Sequence, residues 1–301
     1  MERAQALLIQ LTERSPLLAR LYALFELTKP EISFLVIMTA VTAFLLGSDR
    51  PLDFVRLGVA TGGITLLSCG IATMNQYLER RLDGKMRRTE RRPLPSGRLT
   101  AEVALLFGLT LSVAGEVILL FFVNGLTALV GAAAFVSYLF GYTPLKTKTT
   151  LCTAVGAIPG ALPPVMGWTA ARGELSLEAW VLFALLFLWQ FPHFFAIAWL
   201  YREDYARAGI RMLPVVDPAG KVTGQQIVLY TGMLVGVSFL PVVMKMSGVI
   251  YLVAAIILGI YFLAVCIRAA ITRSKWDARR AIHASVIYLQ LLLLAMVLGR
   301  L

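Results

Sequence analysis

Hydrophobic positions in this chain come in long runs, with polar positions confined to the gaps between them. Nine windows hold the roughly 20 mostly apolar residues that a membrane-spanning helix needs, near 32–47, 57–79, 101–122, 124–142, 152–169, 178–201, 226–245, 248–271 and 282–299. Lipid cannot satisfy a bare backbone amide, so each window predicts a helix. The first 28 residues differ, carrying a charge every few positions and no uninterrupted apolar core or small-residue cleavage site. They read as an amphipathic lead-in with Leu7, Leu8, Leu11, Leu17, Leu18 and Leu21 toward lipid, or as a solvated segment, and not as a signal peptide.

Composition sharpens this picture. Of 301 residues 58% are hydrophobic and 15% charged, which excludes an ordinary soluble domain. No linker or composition shift divides residues 1–301, so a single all-α, polytopic membrane domain is expected, its nine helices bundled around a central cavity. Cys69, Cys152 and Cys266 stand alone inside apolar runs, with neither a disulfide framework nor a CxxC motif. The net charge of +11 needs no nucleic acid. With the N-terminus inside, the 28 Lys and Arg residues divide 23 to 5 between alternate connections, the five being Arg50, Arg56, Arg172, Lys245 and Arg300. Positive residues are retained on the cytoplasmic side, so the N-terminus is expected inside and the C-terminus outside.

The second window runs into NQYLERRLDGKMRRTERRPLPSG, residues 75–97. Asn75, Glu79 and Asp83 recur at i, i+4 and i+8, one above another on a helix. Two carboxylates and an amide are hard oxygen donors suited to Mg²⁺, which keeps several waters and favours substrate phosphates as partners. Arg80, Lys85, Arg88 and Arg92 follow as groups for those phosphate oxygens. The competing reading is a positive-inside loop whose acids pair locally with arginines. Against it stand the cost of polar groups within a span and the stiff RPLPSG turn. A second acidic cluster, YREDYARAG, ends the sixth window with Arg202, Glu203 and Asp204. Glu203 and Asp204 are adjacent, about 100° apart on a helix, so one metal cannot take both, and Asp204 is the expected ligand. Lys146, after the fourth window, extends the cationic rim or serves only positive-inside retention.

His193 in FPHFF lies within an apolar span, just after Pro192, which is expected to break the local helix ladder. A buried interhelical hydrogen bond is the plain reading of such a histidine. Eleven residues separate it from Asp204, so on one continuous helix the two share a face about 16 Å apart. His283 reads as an interfacial residue.

Three segments together, NQYLERRLDGKMRRTERRPLPSGRLT (75–100), YTPLKTKTTLCTAVGAIPGALPPVMGW (142–168) and WQFPHFFAIAWLYREDYARAGIRMLPVV (189–216), resemble the UbiA-type intramembrane prenyltransferases. The likeness runs from about Thr28 to the last span and is strongest to the branch that modifies heme. It implies Mg²⁺-dependent transfer of a farnesyl group from farnesyl diphosphate to a vinyl group of heme B, with water addition, giving heme O. It further implies Asn75, Glu79, Asp83 and Asp204 as catalytic metal ligands, Arg80, Lys85, Arg88, Arg92, Lys146 and Arg202 at the diphosphate, and His193 at the heme, ligating the iron or hydrogen-bonding a propionate. Membrane lipid surrounds such a protein in the cell inner membrane, and a heme A synthase is its candidate partner. The chain departs from the pattern twice: Glu79 stands where Asp is usual, and Tyr201 and Tyr205 occupy the acidic positions of the second motif. A benzoate, naphthoate or chlorin acceptor is the alternative. An ion transporter is disfavoured, because its acids would sit near the midplane on broken helices.

Overall fold

A computed structural model describes residues 15–48 and 51–300, and within them the chain is helical without a β-strand. Helix α1 (Pro16–Leu27) starts on Ser15, whose hydroxyl accepts from the Leu18 amide, with Pro16 in the first turn. Leu17, Leu18 and Leu21 are exposed along it, while Ala23 and Leu27 pack on Leu99 and Ala104. Leu7, Leu8 and Leu11 lie outside the described residues. Lys29 turns the chain in the left-handed region (φ 48°), and Pro30 opens α2 (Pro30–Gly47).

Helix α3 (Phe54–Asp83) has 30 residues, about 45 Å at 1.5 Å per residue, against a hydrocarbon core of about 30 Å. Its surplus turns carry the polar residues out of the apolar layer. Helix α4 (Ala101–Phe122) lies against α3 along a seam of small side chains. A Cβ built on Gly115 would meet the Leu67 amide nitrogen at 2.5 Å, and one on Gly70 would meet Ser112 Oγ at 2.2 Å. The Gly-rich stretch of the second window thus lets two backbones approach.

Helix α5 begins at Gly125–Val136, passes through a π turn at Ser137–Tyr142 and closes with Thr143–Leu145. Helix α6 (Cys152–Arg172) contains Pro159, Pro163 and Pro164 and buries most of its length between α2, α5 and α7. Helix α7 (Leu177–Leu200) continues through Pro192. The proline therefore costs a ladder hydrogen bond without interrupting the helix, because buried packing on both sides holds the path. The helix stops at Tyr201 (φ −109°), and α8 (Arg202–Ala208) starts separately. Helices α9 (Lys221–Val237, with a further turn Leu240–Val243), α10 (Val249–Thr272) and α11 (Lys275–Leu298) complete the chain.

Eight segments of the described residues are long and apolar enough to cross a membrane: 30–47, 54–83, 101–122, 125–145, 177–200, 221–243, 249–272 and 275–298. They match eight of the nine windows. The remaining one, 152–169, is α6, whose three prolines and glycines lower its hydropathy and whose position is interior. Large apolar side chains such as Ile257, Ile260 and Phe121 face outward, as a lipid-facing surface requires.

Candidate functional site

The site gathers at the end of the bundle where α3 outruns the apolar layer. Asn75, Glu79 and Asp83 are all buried on one stripe of α3, and each meets a cation from elsewhere. Asn75 Oδ1 accepts from Lys29 Nζ at 2.9 Å, and its amide donates to Thr143 Oγ1 at 3.3 Å. Glu79 pairs with Lys146. Asp83 takes Arg92 through both oxygens, at 3.0 and 2.9 Å. Each polar side chain of the stripe is thereby satisfied by a different segment of chain.

Electrostatics separate the two lysines. Burial, followed by the nearby Arg92 charge, lowers Lys29 to about 7. Burial also works against charge on Lys146, yet the Glu79 carboxylate together with Tyr142 and Tyr138 outweighs it and holds the ammonium above its ordinary value. Lys146 further lies 4.3 Å from the Tyr142 ring centroid. The π turn places Tyr138 and Tyr142 edge to face, with centroids 5.2 Å apart, on the same side.

Helix α8 borders this end without joining the stripe. Asp204 is buried and pairs with Arg207, whereas Glu203 is exposed and meets Lys275 at 3.0 Å. Arg88 reaches across to Tyr205 Oη at 3.0 Å, and the Arg211 amide donates to the Lys146 carbonyl at 2.7 Å. Among the described residues no three His, Cys, Asp or Glu side chains are close enough to share an ion. Asp204 is thus not grouped with Glu79 and Asp83. The break at Tyr201 also removes the single face expected to link His193 and Asp204.

The predicted phosphate groups divide similarly. Arg92 and Lys146 enter the stripe. Arg80 folds back on Tyr77, 4.5 Å from its ring centroid, and Lys85 is exposed. Arg202 stacks on Trp199 at 4.7 Å and donates to the Pro218 carbonyl, so it faces another part of the surface. Lys29 is the participant that sequence reasoning missed. Its signal in the sequence is a lone cation between Thr28 and Pro30 at the first span.

From Lys29 and Tyr142 a cavity of about 360 Å³ runs inward between α2, α3, α6 and α7. Its walls are mostly apolar, with Val36, Ile71, Pro163, Met166 and Leu186 among them. Trp189, Gln190 and His193 of α7 supply its aromatic and polar lining. Gln190 is held by donation to the Ala157 carbonyl at 3.0 Å, and Gly160 admits its oxygen where a Cβ would stand 2.0 Å away. His193 Nδ1 lies 2.7 Å from Ser285 Oγ.

A charged, oxygen-rich mouth leading to an apolar helical chamber is the layout of an enzyme that handles a lipid with an anionic head. The chain belongs to the UbiA prenyltransferase family, which it matches over residues 36–294, and it is a multi-pass membrane prenyltransferase. Within that family its relatives include the protoheme IX farnesyltransferases of Solibacter usitatus, 50% identical over 91% of this chain and 97% of that one, and of Koribacter versatilis, 44% identical over 91% and 92%. Among solved structures, digeranylgeranylglyceryl phosphate synthase superposes with a TM-score of 0.77 at 18% identity, covering 93% of this chain and 98% of its own. A UbiA homologue of Archaeoglobus fulgidus bound to GPP and Mg²⁺ gives 0.65 at 12% identity, covering 91% and 99%. These structural likenesses concern the fold.

Proposed function

We propose that this protein transfers the farnesyl group of farnesyl diphosphate to a vinyl group of heme B, producing heme O. The observation that carries the reading is a cavity that runs from Lys29, whose ammonium donates to Asn75 of the polar stripe, to a wall bearing His193. The identity to protoheme IX farnesyltransferases supports heme as the acceptor over a benzoate, naphthoate or chlorin.

The donor set suits Mg²⁺: three buried hard-oxygen side chains lie on one stripe, each facing a cation that an arriving diphosphate would attract in its place. Asn75, Glu79 and Asp83 would hold the ion, and the bound ion would neutralise charge on the leaving diphosphate. Lys146 and Arg92, with Arg88 at the rim, supply fixed positive charge for the same oxygens, and Lys29, lowered to about 7, regains its charge beside an arriving diphosphate. As the C1–O bond breaks, the allylic cation forms beside the Tyr138 and Tyr142 rings, which favour positive charge over their faces. Apolar walls keep bulk water away until the terminal vinyl carbon has attacked C1. Water then adds to the inner vinyl carbon and loses a proton, so heme B, farnesyl diphosphate and water become heme O, diphosphate and a proton. The mouth, like the N-terminus, is assigned to the cytoplasmic face of the cell inner membrane, where a heme A synthase would receive the product.

Purified protein incubated with heme B, farnesyl diphosphate and Mg²⁺ is expected to yield hydroxyethylfarnesyl heme, identified by mass, and to lose turnover on chelation. Prenylation of a benzoate acceptor with heme B left intact would defeat the proposal.

A further inference from the structure

His193 lines the cavity with one ring nitrogen already committed. The Ser285 hydroxyl that faces Nδ1 at 2.7 Å lies 2.6 Å from the Ile282 carbonyl oxygen. A carbonyl only accepts, so the single hydroxyl proton of Ser285 points to Ile282, and its oxygen is left to accept from the ring. Nδ1 therefore carries the imidazole proton. With the ring neutral, Nε2 then holds a lone pair and has nothing to donate.

That assignment separates the roles the sequence left open. A propionate carboxylate needs a donor at Nε2, whereas a heme iron needs a lone pair there. Ser285 also fixes the neighbouring ring, because its carbonyl accepts from Trp189 Nε1 at 2.7 Å. Trp189 lies stacked on His193, with centroids 4.7 Å apart and planes inclined by 18°. One residue of α11 thus anchors both rings through two different atoms.

We infer that Ser285 is a positioning residue, which locks His193 in the Nδ1–H tautomer and leaves Nε2 as the axial ligand for the iron of the heme acceptor. The inference rests on heme B being the acceptor. Hydrogen bonds of this kind orient a ligating ring and raise its basicity, and their loss costs about 10–100-fold in affinity.

The test titrates heme B into purified full-length protein without farnesyl diphosphate, recording the Soret band and, for the ferrous complex, the iron–histidine stretch. Wild type is expected to give a histidine-ligated spectrum that His193→Ala abolishes. Ser285→Ala should weaken heme binding about tenfold or more and lower the stretching frequency, while Ser285→Thr, which retains a hydroxyl, stays near wild type. Farnesyl diphosphate binding should be unchanged in all three variants. Wild-type affinity and frequency in Ser285→Ala would overturn the inference, as would equal loss of heme and farnesyl diphosphate binding, which marks a structural role. Heme binding indifferent to His193→Ala would overturn it through the ligand. Failure of wild type to bind heme at all would instead remove the acceptor on which it stands.

Discussion

Asp83 and Arg92 show how a single side chain decides between a solvated loop and a site. Both oxygens of a buried carboxylate are engaged by a guanidinium nine residues later, in a segment that hydropathy treats as spacer. Asp83→Ala is expected to abolish turnover, measured as heme O formed per enzyme. Arg92→Ala should raise the KM for farnesyl diphosphate about tenfold or more, the worth of one charge-assisted hydrogen bond of ~1.5–3 kcal/mol. Arg202→Ala should leave that KM within about twofold, because its guanidinium lies on Trp199 and Pro218; an equal rise in both variants would put Arg202 back at the diphosphate. At this scale the i, i+4, i+8 spacing on α3 was legible, since it depends only on helical geometry. Lys29 and Ser285 were not. Their partners lie 46 and 92 residues away in sequence, and nothing local to a lysine or serine announces a contact at that range.

Helices followed the hydropathy because each apolar window has one way to satisfy its backbone in lipid. Their internal irregularities did not follow. Pro192 reads as a breaker locally, yet α7 runs on through it, as α6 does through its three prolines, each of the four buried against neighbouring helices. The stop at Tyr201 has no proline or glycine to mark it. Close approach between elements falls at glycines whose need becomes visible only with the partner in place. A Cβ on Gly167 of α6 would stand 1.9 Å from the Ala40 carbonyl oxygen of α2, a backbone atom that cannot swing aside. Gly167→Ala is accordingly expected to destabilise the protein by about 1–3 kcal/mol or more, seen as a lowered Tm in detergent. Gly232→Ala on α9, where a Cβ meets nothing within 4 Å, is the control expected to leave Tm unchanged or slightly raised.

Across the whole molecule, sequence and structure agree that charge is gathered at one end of an apolar body. The 23 to 5 division of cations expects the N-terminus inside and the C-terminus outside. Alkaline phosphatase fused after Leu301 should therefore be active in cells and a fluorescent protein at the same point dark; the reverse pattern would invert the topology. What the sequence could not convey is how four separate stretches, α2, α3, residues 80–98 and the end of α5, converge on one mouth, because that convergence is a property of helix packing. The π turn at Ser137–Tyr142 illustrates the dependence. Such a turn absorbs a residue that an α-helix would lack, so it fixes the angular phase of everything after it. Removing Ser137 would rotate Tyr142 and Lys146 by about 100°, leaving Glu79 without its counter-ion although every apolar window stayed intact. In this chain, residue counting along one helix sets the charge balance of the mouth.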